Sequence, residues 1–334
     1  MSTTVLLAST GRGVARAATQ QGTREWSVAE TLAERDVRCL AADPVHPCIV
    51  YAGTQGDGVL RSDDAGETWR PSGLAGRIVK SLAVSRTSPG TVYAGSKPAL
   101  LHVSHDGGAT WQELEGFRRI RSRWLWFSPA ETPFTAYVQA LALAPDDAGV
   151  IVAGIEAGAV VRSADGGKTW SGHRRGALRD CHSLAYHPSH SGWVYEGGGT
   201  GAGVAISRDA GVTWKQPSAG LDRHYGWAVA ADCTHPEVWY ASVAPSPWKA
   251  HSAGKAQAAI FRATGGAAWQ KLSGGLPEPL TAMPYALLAD PGVSGQVYAG
   301  LGNGEVWHSV DYGDTWRKLP LDLPAVGSMV LLTP

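Results

Sequence analysis

The sequence predicts an all-β fold, a seven-bladed β-propeller of four-stranded antiparallel blades in which the last blade is closed by both chain termini. Three observations predict it. An octapeptide of the form S-x-D-x-G-x-T-W recurs at 62–69, 104–111, 163–170, 207–214 and 309–316. Worn copies at 262–269, which keeps Gly266 and Trp269, and at 19–26, which keeps little beyond Trp26, bring the count to seven. The seven tryptophans, 26, 69, 111, 170, 214, 269 and 316, are spaced by 43, 42, 59, 44, 55 and 47 residues, the length of four short strands with their turns.

Each unit can be read in order. Its first strand is apolar and ends in a turn, as in Cys39-Leu-Ala-Ala-Asp-Pro44, Ser81-Leu-Ala-Val-Ser85, Ala140-Leu-Ala-Leu-Ala-Pro145, Ser183-Leu-Ala-Tyr-His-Pro188 and Ala286-Leu-Leu-Ala-Asp-Pro291. The second is β-rich and ends mostly in glycine: Val50-Tyr-Ala-Gly53, Val92-Tyr-Ala-Gly95, Val152-Ala-Gly154, Val194-Tyr-Glu-Gly197, Trp239-Tyr-Ala-Ser242 and Val297-Tyr-Ala-Gly300. A third strand leads into the octapeptide, whose Ser and Asp bond turn amides and whose Gly takes positive φ, and a fourth follows. Such a sheet buries its faces only against neighbours, and closing seven into a ring removes exposed ends. Segments 5–9 and 14–26 read as the second, third and fourth strands of a blade whose first strand is 327–334. All 334 residues therefore read as one domain, with insertions at about 115–136 and 244–257 where the spacing is long.

Composition narrows the function classes. The 29 Lys and Arg balance 29 Asp and Glu, so the formal charge is zero, which argues against nucleic acid as a partner. No apolar run is long enough for a membrane helix, and the first residues lack the basic and apolar regions of a secretory signal; the chain as given reads as cytoplasmic, or as exported if a leader was trimmed. Four scattered cysteines, 39, 48, 181 and 233, form neither a disulfide framework nor a CxxC pair and are expected to be reduced. Gly167-Lys168-Thr169 lacks the earlier glycine of a phosphate loop, and the glycine run 197–203 joins two strands without opening a helix. Neither HExxH nor GxSxG occurs.

The octapeptide is similar to the Asp-box, or BNR repeat, of sialidases, xyloglucan-active tandem propellers, sortilin-type receptors and photosystem II assembly factors. The resemblance covers the whole chain and is specific for the repeat. It implies a propeller whose repeat turns lie on the face opposite the active site. It does not imply one activity. Sialidases use three arginines and a Tyr/Glu pair, whereas the channel strands here offer one Arg, one Lys and no Glu beside a Tyr.

Aligning the first strands on their Leu-Ala pair places Arg38, Lys80, Gln139, His182, Trp227, Tyr285 and Ser328 in one ring around the channel. Alternation puts Asp36, Ile78, Tyr137, Asp180, Tyr225, Met283 and Val326 in a second. A filler layer would be small or apolar; the first ring is polar, aromatic or ionisable, as a ligand site is. Asp36, Asp180 and Glu156 are the candidate acid/base carboxylates, with His182, Tyr225 and Tyr285 as proton donors or acceptors. Asp36 and Asp180 lie on nearly opposite blades, a separation suited to inverting rather than retaining hydrolysis. Both insertions fall on this face. The first carries Arg118, Arg119, Arg121 and Arg123 with Trp124 and Trp126, and the second carries Trp248, Lys249 and His251; arginine forks bind anions and tryptophans stack on sugars. No cofactor is required, and the one metal site the spacing allows is Asp180, His182 and His224. His46, His187, His190 and His235 fall in turns of the opposite face and are expected at the surface. Two readings follow: a carbohydrate-active or related hydrolase or lyase for a small polar or anionic ligand, and a non-catalytic scaffold that holds a protein through the Arg/Trp-rich insertion.

Overall fold

In the computed structural model, which describes residues 3–20 and 25–333, the chain forms seven small antiparallel sheets. Blade one is Val37–Ala42, Val50–Thr54, Val59–Ser62 and Arg70–Pro71; blade two is Ile78–Val84, Val92–Lys97, Leu101–Ser104 and Gln112–Glu113. Blade three holds Val138–Leu143, Ile151–Ile155 and Val160–Ser163, and blade four Cys181–Tyr186, Val194–Gly198 and Val204–Ser207. Blade five is Tyr225–Ala231, Trp239–Ala244, Ala259–Ala263 and Gln270–Leu272, and blade six is Pro284–Ala289, Val297–Leu301, Val306–Ser309 and Arg317–Lys318. In the seventh sheet Ser328–Leu332 pairs with Thr3–Ser9, which continues to Val14–Gln20 and Ser27–Thr31.

The core is a set of seven clusters, each drawn from two adjacent sheets. Cys39, Tyr51 and Val59 of blade one meet Val79, Leu82 and Val92 of blade two, and Val5, Leu7 and Leu332 of the seventh sheet meet Val37, Leu40 and Val50 of blade one. This is a seven-bladed β-propeller, and inter-sheet burial is what holds it. The recurrent Tyr-Ala-Gly strand has a direct cause in that packing. A Cβ on Gly53 would lie 2.5 Å from Cys39 Sγ and 2.7 Å from Val79 Cγ1 of the next blade, so the strand end must be bare.

Two details differ from the sequence reading. Blades three and four are three-stranded; after their octapeptides the chain keeps only a few bonds to the sheet, Ser171 N–H to Arg162 O and Arg174 N–H to Val160 O, both at 2.8 Å, in blade three and a reciprocal isolated bridge between Ile206 and Lys215 in blade four. In the worn copy at 19–26, residues 21–24 lie outside the described residues, and Thr19 and Gln20 extend a strand instead of opening a turn.

The five clean octapeptides fold alike. In 104–111, Ser104 Oγ donates to Asp106 Oδ1 at 2.7 Å and accepts from Gly108 N–H at 2.8 Å, while Asp106 accepts from Thr110 N–H at 2.8 Å and Thr110 Oγ1 at 2.6 Å. Trp111 Nε1 closes the turn on Gly108 O at 3.2 Å. The fourth residue of each turn donates its amide to the turn joining the first two strands of its own blade, as Gly107 does to Gly90 O at 2.8 Å. All these turns therefore share one face, which leaves the opposite face to the channel mouth and both insertions.

Candidate functional site

The first strands carry a feature that alternation alone does not reveal. In six blades the pairing of first and second strand slips, between Val37 and Cys39, Val79 and Ser81, Val138 and Ala140, Cys181 and Ser183, Gly226 and Val229, and Pro284 and Ala286. The skipped residues are Arg38, Lys80, Gln139, His182, Trp227 with Ala228, and Tyr285. Every ring residue expected in those blades thus sits in a β-bulge, which frees its side chain from the ladder's alternation and re-aims it. The next residue then reaches the neighbouring blade: Ser81 Oγ donates to Val138 O at 2.7 Å and Ser183 Oγ to Trp227 O at 2.6 Å. The ring is built by backbone irregularity and clamped by inter-blade bonds.

On one arc of the mouth, His182 is buried at 4% exposure with Glu156 and Asp180 beside it. His182 Nε2 is 3.5 Å from Asp180 Oδ2 and 3.6 Å from Glu156 Oε2. Its Nδ1 donates to Gly226 O at 2.7 Å, its ring stacks on Trp227 at 4.3 Å, and the Tyr225 ring is 5.1 Å away. Asp180 Oδ1 accepts from Ala157 N–H at 3.0 Å. Burial, reinforced by Asp180, pushes the Glu156 carboxyl up to about 7. Burial would lower His182, but Asp180 and Glu156 outweigh it and raise the imidazole; His182 in turn holds Asp180 below the usual carboxylate range despite burial. The wall continues through His251, whose Nε2 bonds Tyr225 Oη at 2.9 Å and whose Nδ1 bonds Tyr285 Oη at 2.8 Å.

The other arc is cationic around one carboxylate. Glu131 accepts from Lys80 Nζ at 2.6 Å, Arg38 at 3.4 Å and Lys97 Nζ at 3.4 Å, and Lys80 Nζ lies over the Tyr137 ring at 4.7 Å. Burial lowers the Lys80 ammonium, partly offset by Glu131, and burial with the charges of Glu156 and Glu131 raises the Tyr137 phenol. A cleft of about 340 Å³ leads outward from Asp180 between Ala157, Arg179 and the first insertion's Leu125 and Trp126. A larger cleft, about 410 Å³, is lined by Trp193, Trp239 and Trp269 beside the turns of the opposite face, and none of the mouth residues reaches it.

Several expected residues sit elsewhere than the sequence placed them. Asp36 is tied to Arg38 at 2.7 Å, so its charge is spent locally, and the close carboxylate pair is Glu156 with Asp180. His224 is exposed: it precedes the inward-facing Tyr225, alternation turns it away, and Glu156 takes its place in the cluster. The arginine run does not make one anion rim. Arg118 pairs with Glu113 and Arg119 with Glu115, Arg121 is exposed, and Arg123 folds inward to Ala99 O at 2.8 Å with its guanidinium over Phe117 and Trp126. Trp248 is 86% exposed on the helical turn Pro247–Ala250. His187, expected at the surface, is fully buried.

Sequence reasoning missed Glu131 and Lys97 altogether and placed His251 only in an insertion. Each insertion sends one polar side chain into the mouth, Glu131 from the first and His251 from the second. Glu131 carries no repeat signal, because an insertion has no counterpart in the other blades.

No family model matches the chain, and no curated protein matches it. Solved structures do. The GH74 xyloglucanase from Xanthomonas campestris is 20% identical with a TM-score of 0.66, over 86% of this chain and 45% of that one. YCF48 from Cyanidioschyzon merolae is 15% identical with a TM-score of 0.60, over 91% of this chain and 96% of that one, and YCF48 bound to D1 peptide is 15% identical at 0.58, over 89% and 92%. At these identities the likeness shows the fold alone, and the chain spans less than half the length of the GH74 enzymes it matches. Among the described residues no helix is long and apolar enough to cross a membrane.

Proposed function

We propose that the channel mouth binds a small polar, sugar-like or anionic molecule and acts on it as a hydrolase or lyase. One observation carries this reading: six bulged strands and two insertions converge chemically active side chains on one concave face. Glu156, Asp180 and His182 are the polar centre, Trp227, Tyr225 and Tyr285 offer flat apolar faces of the kind that seat sugar rings, and Lys80 with Arg38 supplies positive charge across the mouth. A filler channel would not hold two carboxylates and an imidazole within 4.8 Å of one another at burial this deep. The likeness in fold to GH74 enzymes is compatible with this reading and does not carry it.

The test is a melting-temperature screen against uronic acids, sialic acid, neutral oligosaccharides and sugar phosphates, since a ligand of the folded state raises the midpoint. At least one class should raise it in the wild type and lose its effect in Asp180→Asn. A panel-wide null, or a shift that Asp180→Asn leaves intact, overturns the reading.

A second reading has its own observation. Trp124, Leu125, Phe127 and Phe134 of the first insertion are 81%, 60%, 54% and 53% exposed, an apolar patch of the kind that marks protein contact. A scaffold that holds a protein partner there predicts loss of capture in Trp124→Ser with the mouth untouched.

A further inference from the structure

We infer that Glu156, Asp180 and His182 form a site for a single divalent transition cation, Zn2+ by donor chemistry, reached through the cleft at Asp180. This deepens the reading above and rests on it only for the ligand that would complete the ion. A carbonyl only accepts, so His182 Nδ1, 2.7 Å from Gly226 O, carries the ring's hydrogen and the neutral ring presents a lone pair at Nε2. That lone pair is aimed at two carboxylate oxygens. Among the described residues neither His182 Nε2 nor Glu156 Oε2 has a hydrogen-bond partner, and their residues are 4% and 8% exposed. With the ring neutral and both carboxylates ionised, three electron-rich atoms face one another in a place where unsatisfied polar atoms are costly, so the cluster must take up either protons or a cation.

The distances identify what fits between them. Separations of 3.5 and 3.6 Å are too long for an ordinary N–H···O bond, which spans roughly 2.7–3.2 Å. They agree with two ligands on one tetrahedral ion: bonds of about 2.1 Å to nitrogen and to oxygen put the two donor atoms roughly 3.4 Å apart. The surroundings are those that orient ligands. Gly226 O fixes the tautomer, Ala157 N–H holds the second oxygen of Asp180, and the Trp227 ring locks the imidazole plane at 4.3 Å. One imidazole and two carboxylates suit Zn2+ or Mn2+ better than Ca2+, which takes six to eight oxygens, or Mg2+, which keeps several waters. The most exposed of the three side chains, Asp180, lines the cleft beside Ala157 and Arg179, and from there an oxygen of a bound molecule would complete the shell.

The experiment is calorimetric titration of chelator-stripped protein with Zn2+, and with Mn2+ and Mg2+ as comparators, confirmed by metal analysis after dialysis. The wild type should take up one Zn2+. Glu156→Gln with Asp180→Asn, which preserves side-chain volume, should weaken binding by at least about 100-fold while circular dichroism and the metal-free melting point report an intact fold. His190→Ala should change nothing; it removes the competing histidine pair of the opposite face, where His187 and His190 Nδ1 atoms lie 3.3 Å apart. No stoichiometric uptake, unchanged affinity in the double variant, or loss confined to His190→Ala overturns the inference. The two readings fail separately. A small-molecule melting shift that survives in chelator, with no Zn2+ uptake, removes the cation and leaves the ligand site; uptake with no responsive small molecule keeps the cation and removes the ligand reading.

Discussion

Glu196 stands in the second strand of blade four at the position where the corresponding strands carry Ala52, Ala94, Ala153, Ala241 and Ala299. It is fully buried, and both its oxygens accept from Leu178 N–H, at 3.2 and 3.0 Å, on the segment that leads into Asp180. Burial pushes its carboxyl up to about 8, against lowering by the Leu178 amide and Cys181 and with a small contribution from the charge of Asp180. The folded state therefore holds a proton that the unfolded chain releases near 4.5. Stability from this group is complete below 4.5 and is lost as pH rises toward 8. With about 1.36 kcal/mol per pKa unit, a shift from 4.5 to about 8 removes roughly 4 kcal/mol between pH 5 and pH 9. Glu196→Gln keeps an acceptor for Leu178 and cannot ionise. Its melting point relative to wild type should climb with pH, by roughly 8 °C across that range if a chain this long moves about 2 °C per kcal/mol. Scanning calorimetry of both proteins at pH 5, 7 and 9 is the assay. Parallel curves, or an advantage for the variant that shrinks with pH, would refute a buried protonated carboxyl at this position.

Other predictions follow from the same geometry. Asp106→Ala removes the acceptor of three bonds in one repeat turn and should cost about 1–3 kcal/mol in chemical denaturation, with the turn's amides losing exchange protection first; an unchanged midpoint contradicts the assigned role. His308 is buried against Tyr298, and burial with the nearby charge of Arg317 lowers its imidazole to about 4, so stability held above 6.5 is lost as pH falls through 6.5 toward 4. His308→Gln should flatten that acid limb, and an unchanged acid limb counts against it. Trp124→Ser should leave any mouth ligand's melting shift intact, because Trp124 is 81% exposed and outside the mouth's bonds. Trp227→Ala should abolish that shift, since Trp227 stacks on His182 and meets Tyr285 edge-on at 5.1 Å.

The fold was legible because its turn is written cleanly five times and worn copies keep the tryptophan of the other two units. Ser, Asp, Gly, Thr and Trp at fixed offsets specify one turn, and their repetition specifies the ring. The bulged residues Arg38, Lys80, Gln139, His182, Trp227 and Tyr285 were also legible, since aligned strands expose a non-apolar position even when the bulge behind it is invisible. What stayed hidden was partnership. Nothing in the spacing says that Asp36 turns to Arg38, that the arginines at 118 and 119 find Glu113 and Glu115, or that Glu131 folds in to Lys80. Those choices depend on where unique loops fold back. His224 illustrates the other limit: its place on the blade next to Asp180 and His182 suggested a shared metal site, and strand alternation turns it away, exposed, beside the buried Tyr225.

We propose that this protein meets its ligand at the Glu156–Asp180–His182 face. The most direct measurement is a crystal structure of the protein soaked with Zn2+ and the small molecule that gives the largest melting shift, with anomalous data collected at the zinc edge. An anomalous peak is expected between His182 Nε2 and the two carboxylates, with the molecule's density against Trp227 and Tyr225. Density for the molecule only in the tryptophan-lined cleft of the opposite face, or on the Trp124 patch, with no peak at His182, would contradict it.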